Sequence, residues 1–105
     1  MITVLVVGAS AAGSASPDPS IEVMTAADAQ EALEKLARNR RIAAVLLLAD
    51  AGPAAAAQAI HEEDPGAPPL FVSASVDPPP RAHRLDATSP AGLLRAIAHA
   101  LSADR

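Results

Sequence analysis

Between Ile21 and Ser75 the chain alternates strand, helix, strand, helix, strand, and this order constrains the fold more than any single residue does. Ile21 to Met24 is a short apolar run that suits a strand. Asp28 and Glu31 then stand in the capping-box pattern, where the first side chain accepts from a backbone N–H and the second reaches back to another. Ala29, Ala32, Leu33, Leu36 and Ala37 follow at helical spacing and form one apolar stripe. Glu31 with Lys35, and Glu34 with Arg38, add favourable pairs one turn apart on the outer face. Ile42 to Ala49 contains no polar residue, which suits a central strand covered on both faces. Pro53 opens a second helix that runs to Glu63 and is stopped by Asp64-Pro65-Gly66. Leu70 to Ala74 is the next strand. Strands joined by helical crossovers pair in parallel.

The flanking segments extend the pattern. Ile2 to Val7 is an apolar, largely β-branched run ending at Gly8, a further buried strand. Ala9 to Ser20 is built of Ala, Ser, Gly, Pro and Asp and reads as a loop, with at most one or two turns of helix. Asp77-Pro78-Pro79-Pro80 cannot continue a helix or a strand, and Ala82 to Asp86 reads as a short edge strand. Ser89-Pro90 pairs an N-cap with proline at the first helical position, ahead of a helix carrying Leu93, Leu94, Ile97, Ala98 and Leu101 on one side. The expectation is an α/β fold: a doubly wound, five-stranded parallel sheet of flavodoxin-like type with strand order 2-1-3-4-5. Residues 1–105 form a single domain with the first and fourth helices shortened or lost. A chain of 105 residues lies near the lower end for one hydrophobic core. Its apolar residues are mostly alanine, with Phe71 the lone aromatic. Small side chains remove little area from water, at roughly 25 cal/mol per Å², so modest stability is expected.

Charge and composition narrow the partners. A net charge of -4 and the lack of an aromatic stacking platform argue against nucleic acid. The one basic cluster, Arg38, Arg40 and Arg41, lies at a helix C-terminus, where cations complement the macrodipole; an anion or partner contact is the alternative. The absence of cysteine rules out disulfides and thiolate chemistry. No stretch approaches the ~20 apolar residues that span a bilayer, and no basic region precedes the apolar N-terminal run as in a signal peptide. A soluble, cytoplasmic chain with no membrane contact is expected.

Taken together, these segments resemble the receiver domain of bacterial two-component response regulators. Glu22-Val23-Met24-Thr25-Ala26 through Glu31-Ala32-Leu33 is similar to the second strand and helix of that family. Val45-Leu46-Leu47-Leu48 is similar to its third strand, Pro69-Leu70-Phe71-Val72-Ser73-Ala74 to its fourth, and Ser89-Pro90 through Leu93-Leu94 and Ile97 to its last helix. The resemblance implies phosphoryl transfer to an aspartate with Mg²⁺ held by an acidic pair after the first strand. Here those positions are Gly8 and Ala9. The phosphoacceptor position falls on Ala49 or Asp50, and the switch hydroxyl on Ser73. The family's lysine, just before a proline after the fifth strand, falls near Asp86, which inverts the charge that would meet a phosphoryl oxygen.

The chain therefore reads as a degenerate receiver, or pseudo-receiver, that does no phosphotransfer, is not an enzyme and needs no cofactor or metal. With helical cover lost from a sheet that stays apolar, exposed apolar area is expected, and such area marks protein interfaces. Association as a homodimer or with a partner protein follows. Two other readings stand beside it. Gly8 to Ser14 follows a strand and superficially matches a phosphate loop, with Gly8, Ser10, Gly13 and Ser14 as ligand-loop candidates. The phosphate-binding lysine is missing and no clear helix follows, so a plain flexible loop competes with an anion or nucleotide site. The last reading is an atypical receiver phosphorylated on Asp50. His61, His83 and His99 are far apart and show no ligand spacing, and His61 beside Glu62 and Glu63 reads as a solvated helix face.

Overall fold

The computed structural model describes residues 2–8, 19–39, 41–64, 66–74, 77–78, 82–87 and 89–103. In chain order these give strand β1 (Ile2–Val7), β2 (Ile21–Ala26), helix α1 (Ala29–Arg38) and β3 (Ile42–Leu47). A single 3-10 turn (Ala49–Ala51), α2 (Pro53–Glu63), β4 (Leu70–Val72), β5 (Ala82–Arg84) and α3 (Pro90–Ala103) follow. All pairings are parallel, and the sheet order is β2-β1-β3-β4-β5. This is the doubly wound, flavodoxin-like α/β arrangement expected from the strand and helix order. The sequence boundaries ran long at β3, β4 and β5, which stop at Leu47, Val72 and Arg84, and short at β2, which continues to Ala26. Of the expected loop from Ala9 to Ser20, Pro19 and Ser20 are described and form a turn, and the rest lies outside the described residues. Among the described residues between β4 and β5 there is no helix.

Alternation along each strand sorts the core into two layers. Leu5, Val7, Val45, Leu47, Leu70 and Val72 face α1 and α2, meeting Ala32, Leu36, Ala56, Ala57 and Ile60. Val4, Val6, Ala44, Leu46 and Phe71 face the other way, toward Leu93, Leu94 and Ile97 of α3. The helix stripe is narrower than its spacing suggested: Ala32 and Leu36 are buried, Ala29 and Leu33 half-buried, and Ala37 exposed.

The broad bare sheet face expected from lost helices is not present on the central strands. On the α3 side Val4, Val6, Ala44, Leu46 and Phe71 are between 0% and 5% exposed. Three bulky side chains of α3, each at most 2% exposed, form one cluster with them. Half-buried apolar side chains stand at the rim instead, among them Ile2, Val23, Leu48 and Leu101.

The helix ends follow their sequence signals. Asp28 Oδ1 accepts from Glu31 N at 2.9 Å, and Glu31 Oε2 accepts from Ala27 N at 3.0 Å. The reciprocal cap therefore reaches one residue further back than the standard box. Lys35, 3.5 Å from Glu31, also donates to the carbonyl of Thr25, tying α1 to β2. Ser89 caps α3: its Oγ accepts from Gly92 N at 3.2 Å, and its carbonyl from Leu93 N at 2.9 Å.

Candidate functional site

Parallel pairing brings all five carboxyl ends to one edge of the sheet. Ala26, Val7, Leu47, Val72 and Arg84 form a row across the strands. The chain stays tied for one more residue: Gly8 N donates to Ala26 O at 2.8 Å, Leu48 N to Val7 O at 2.9 Å, and Leu85 N to Val72 O at 2.9 Å. Gly8, Leu48, Ser73 and Leu85 thus form the next row. Ligands of doubly wound folds bind outside this edge.

Asp50 enters the edge by a route the sequence did not show. It lies in the 3-10 turn that follows β3, not at the end of the strand. Gly52 has φ 63°, the left-handed conformation that glycine adopts without steric cost, and it turns the chain from that 3-10 turn into α2. Pro53 takes the first turn of α2, where its missing N–H costs nothing. The turn carries the exposed Asp50 carboxylate back over the adjacent strand β1. A Cβ built on Gly8 would lie far inside van der Waals contact with Asp50 Oδ1, and 2.9 Å and 3.2 Å from Leu48 Cβ and Cδ1. Gly8 is itself buried and has φ 154°, a conformation that L side chains rarely adopt.

Of the other candidates, Ser73 follows β4 directly and is buried at 8% exposure, in the same row as Gly8. Ala74 N donates to Ala87 O at 3.0 Å, which holds the segment after β4 beside the segment after β5. Asp86 is exposed in that second segment. Asp50 and Ser73 both have interaction partners, so neither is an idle group. Ser10, Gly13 and Ser14 lie outside the described residues, as does Ala9. The edge therefore gathers Gly8, Asp50, Ser73 and Asp86, and the loop reading remains represented by Gly8 alone.

Among the described residues this edge assembles no set of ligands for a divalent cation such as Mg²⁺. A divalent hard cation needs several oxygen ligands. At position 8 there is no side chain, and the space a carboxylate would start from is already occupied. Among the described residues no three His, Cys, Asp or Glu side chains come together as a metal-holding group. Asp50 and Asp86 put exposed carboxylates near this edge, where the oxygens of a phosphoryl group would meet negative charge rather than a cation.

The histidines are separate. His99 is exposed on α3, and His83 is exposed on β5 with its ring 5.6 Å from that of Phe71 at 39°. His61 corrects the expectation of a solvated helix face: the residue is half-buried, and its Nε2 is buried with no hydrogen-bond partner. The helix rotates it inward because Ala57 and Ile60, one turn earlier and adjacent, form the buried side of α2. Arg38 closes the last turn of α1 and Arg41 is exposed just beyond it, as a C-terminal basic cluster should be; Arg40 lies outside the described residues.

No protein-family model, curated protein or solved structure matches the chain. The class that the fold defines is a flavodoxin-like α/β domain. No helix among the described residues is long and apolar enough to cross a membrane.

Proposed function

We propose that this is a receiver-like signalling or scaffolding module that acts by protein–protein contact, without phosphotransfer. One observation carries the reading. Buried Gly8 and exposed Asp86 lie at the carboxyl edge together with Ser73 and with Asp50 in the turn after β3; the receiver resemblance would call for a metal-holding acid at Gly8 and a lysine near Asp86, and this supports a module without phosphotransfer. What a receiver-like domain retains without its chemistry is its surface. Half-buried Val23 on the edge strand β2 and Ile2 on β1, both against the α3-side cluster, support a contact made by a second copy of the chain or by a partner protein.

Incubation with a small phosphodonor and Mg²⁺, followed by intact-mass measurement, tests the loss of phosphotransfer. No gain of a phosphoryl group is expected. A gain mapped to Asp50 would replace this reading with the atypical receiver. Light scattering over a dilution series tests association: a concentration-dependent mass is expected for the homodimer. A monomer at every concentration would count against this reading. A rise in melting temperature with a nucleotide would instead favour ligand binding, because a ligand that binds only the folded form stabilises it.

A further inference from the structure

Resting on the receiver-like reading, we infer that the metal cradle of this edge is filled and not merely stripped: the Asp50 carboxylate and the Gly8 backbone together occupy the place from which an acidic side chain would hold a cation. Two independent observations support it. The space beyond the Gly8 Cα is taken by Asp50 Oδ1 and by Leu48, whose Cβ and Cδ1 would lie 2.9 Å and 3.2 Å from an added Cβ. The Gly8 backbone, at φ 154°, is also held where a side chain is strained, and its N–H is fixed to Ala26 O at 2.8 Å. A carboxylate restored at position 8 would have to displace Asp50, push Leu48 and change the backbone at the end of β1. Simple loss of an acidic residue would leave open space and ordinary backbone; this edge has neither.

The test uses the whole chain and Mn²⁺ as the metal probe. Thermal melts and Mn²⁺ titrations followed by NMR line broadening are recorded for the wild type, Gly8→Asp, and Gly8→Asp with Asp50→Ala. Gly8→Asp is expected to lower the melting temperature by roughly 10 °C or more and to show no Mn²⁺-specific broadening at Leu48 or Ser73. The double variant is expected to recover several degrees, because one of the two obstructions has been removed. If Gly8→Asp does not fold, Gly8→Ala with and without Asp50→Ala gives the same comparison of melts. A Gly8→Asp protein that melts with the wild type, or that gains a Mn²⁺ site, overturns the inference. So does a double variant with no recovery. Phosphoryl uptake by the wild type would instead sink the functional reading, so the two failures are distinguishable.

Discussion

Replacing Gly8 by alanine is the smallest perturbation that reaches the centre of the edge. The added Cβ would meet Leu48 Cβ at 2.9 Å and crowd Asp50 Oδ1 more closely still. Asp50 is exposed but not free, so its carboxylate can yield only by disturbing the interaction it makes. Leu48 Cβ cannot, because it is attached to backbone held by the 2.9 Å bond from Leu48 N to Val7 O. Overpacking of this kind costs about 1–3 kcal/mol, and a strained backbone conformation about 1–3 kcal/mol more. The reduced freedom of the unfolded chain returns about 0.4–1 kcal/mol. At the middle of these ranges the net loss is about 3 kcal/mol, a large share of the roughly 5–15 kcal/mol that holds a domain folded. At about 4–8 °C per kcal/mol for a domain near this size, the melting temperature should fall by roughly 10–25 °C. Circular dichroism melts of wild type, Gly8→Ala, Asp50→Ala and the double variant measure both the loss and the coupling. Contacting residues couple by about 0.5–3 kcal/mol, and the expected sign is rescue. A Gly8→Ala protein within about 0.5 kcal/mol of wild type, the range of an ordinary surface change, would refute the geometry.

Elsewhere the structure gives sharper contrasts. Ile97→Ala, at a fully buried position of the one described helix on its face, should cost about 2–5 kcal/mol; Arg95→Ala, exposed on the same helix, should stay within about 0.5 kcal/mol, both read by urea unfolding. Asp28→Ala removes the side-chain cap on Glu31 N and should cost about 1 kcal/mol, seen as a lower melting temperature. His61→Leu replaces a buried, unpartnered Nε2 with apolar volume. Because an unsatisfied buried polar group is a net cost, stability should hold or rise by up to about 1 kcal/mol; a loss above that would mean Nε2 has a partner in solution.

The fold was legible because its signals are local and periodic. The cap at Asp28, the stripe through Ala32 and Leu36 and the wholly apolar run from Ile42 each fix one element. Helix-length connections then leave parallel pairing as the outcome. Boundaries were less legible: Leu48, Ala49 and Ala74 are as apolar as the strands they follow, so composition could not show that the ladders end at Leu47 and Val72. The bare-face expectation failed because helix count is a poor measure of cover, and three large side chains of α3 cluster with the inner residues of three strands. At the site, the sequence supplied the residue types, and strand order placed Gly8 beside the end of β3. It did not supply the 3-10 turn that folds Asp50 back over Gly8. The available signal was Gly52 just before Pro53, a glycine that lets the chain reverse. The orientation of His61 was hidden because the weak amphipathicity of an alanine-rich helix leaves its inward face poorly marked.

A module without phosphotransfer should have a carboxyl edge inert toward Mg²⁺ and phosphodonor alike. Backbone amide NMR spectra with Mg²⁺ and a small phosphodonor, added separately and then together, report on Gly8, Leu48, Asp50 and Ser73 at once. These four signals should stay where they are, while the phosphodonor is left unconsumed. Saturable shifts at Gly8 and Asp50 with Mg²⁺, followed by a second set once the phosphodonor is added, would contradict it.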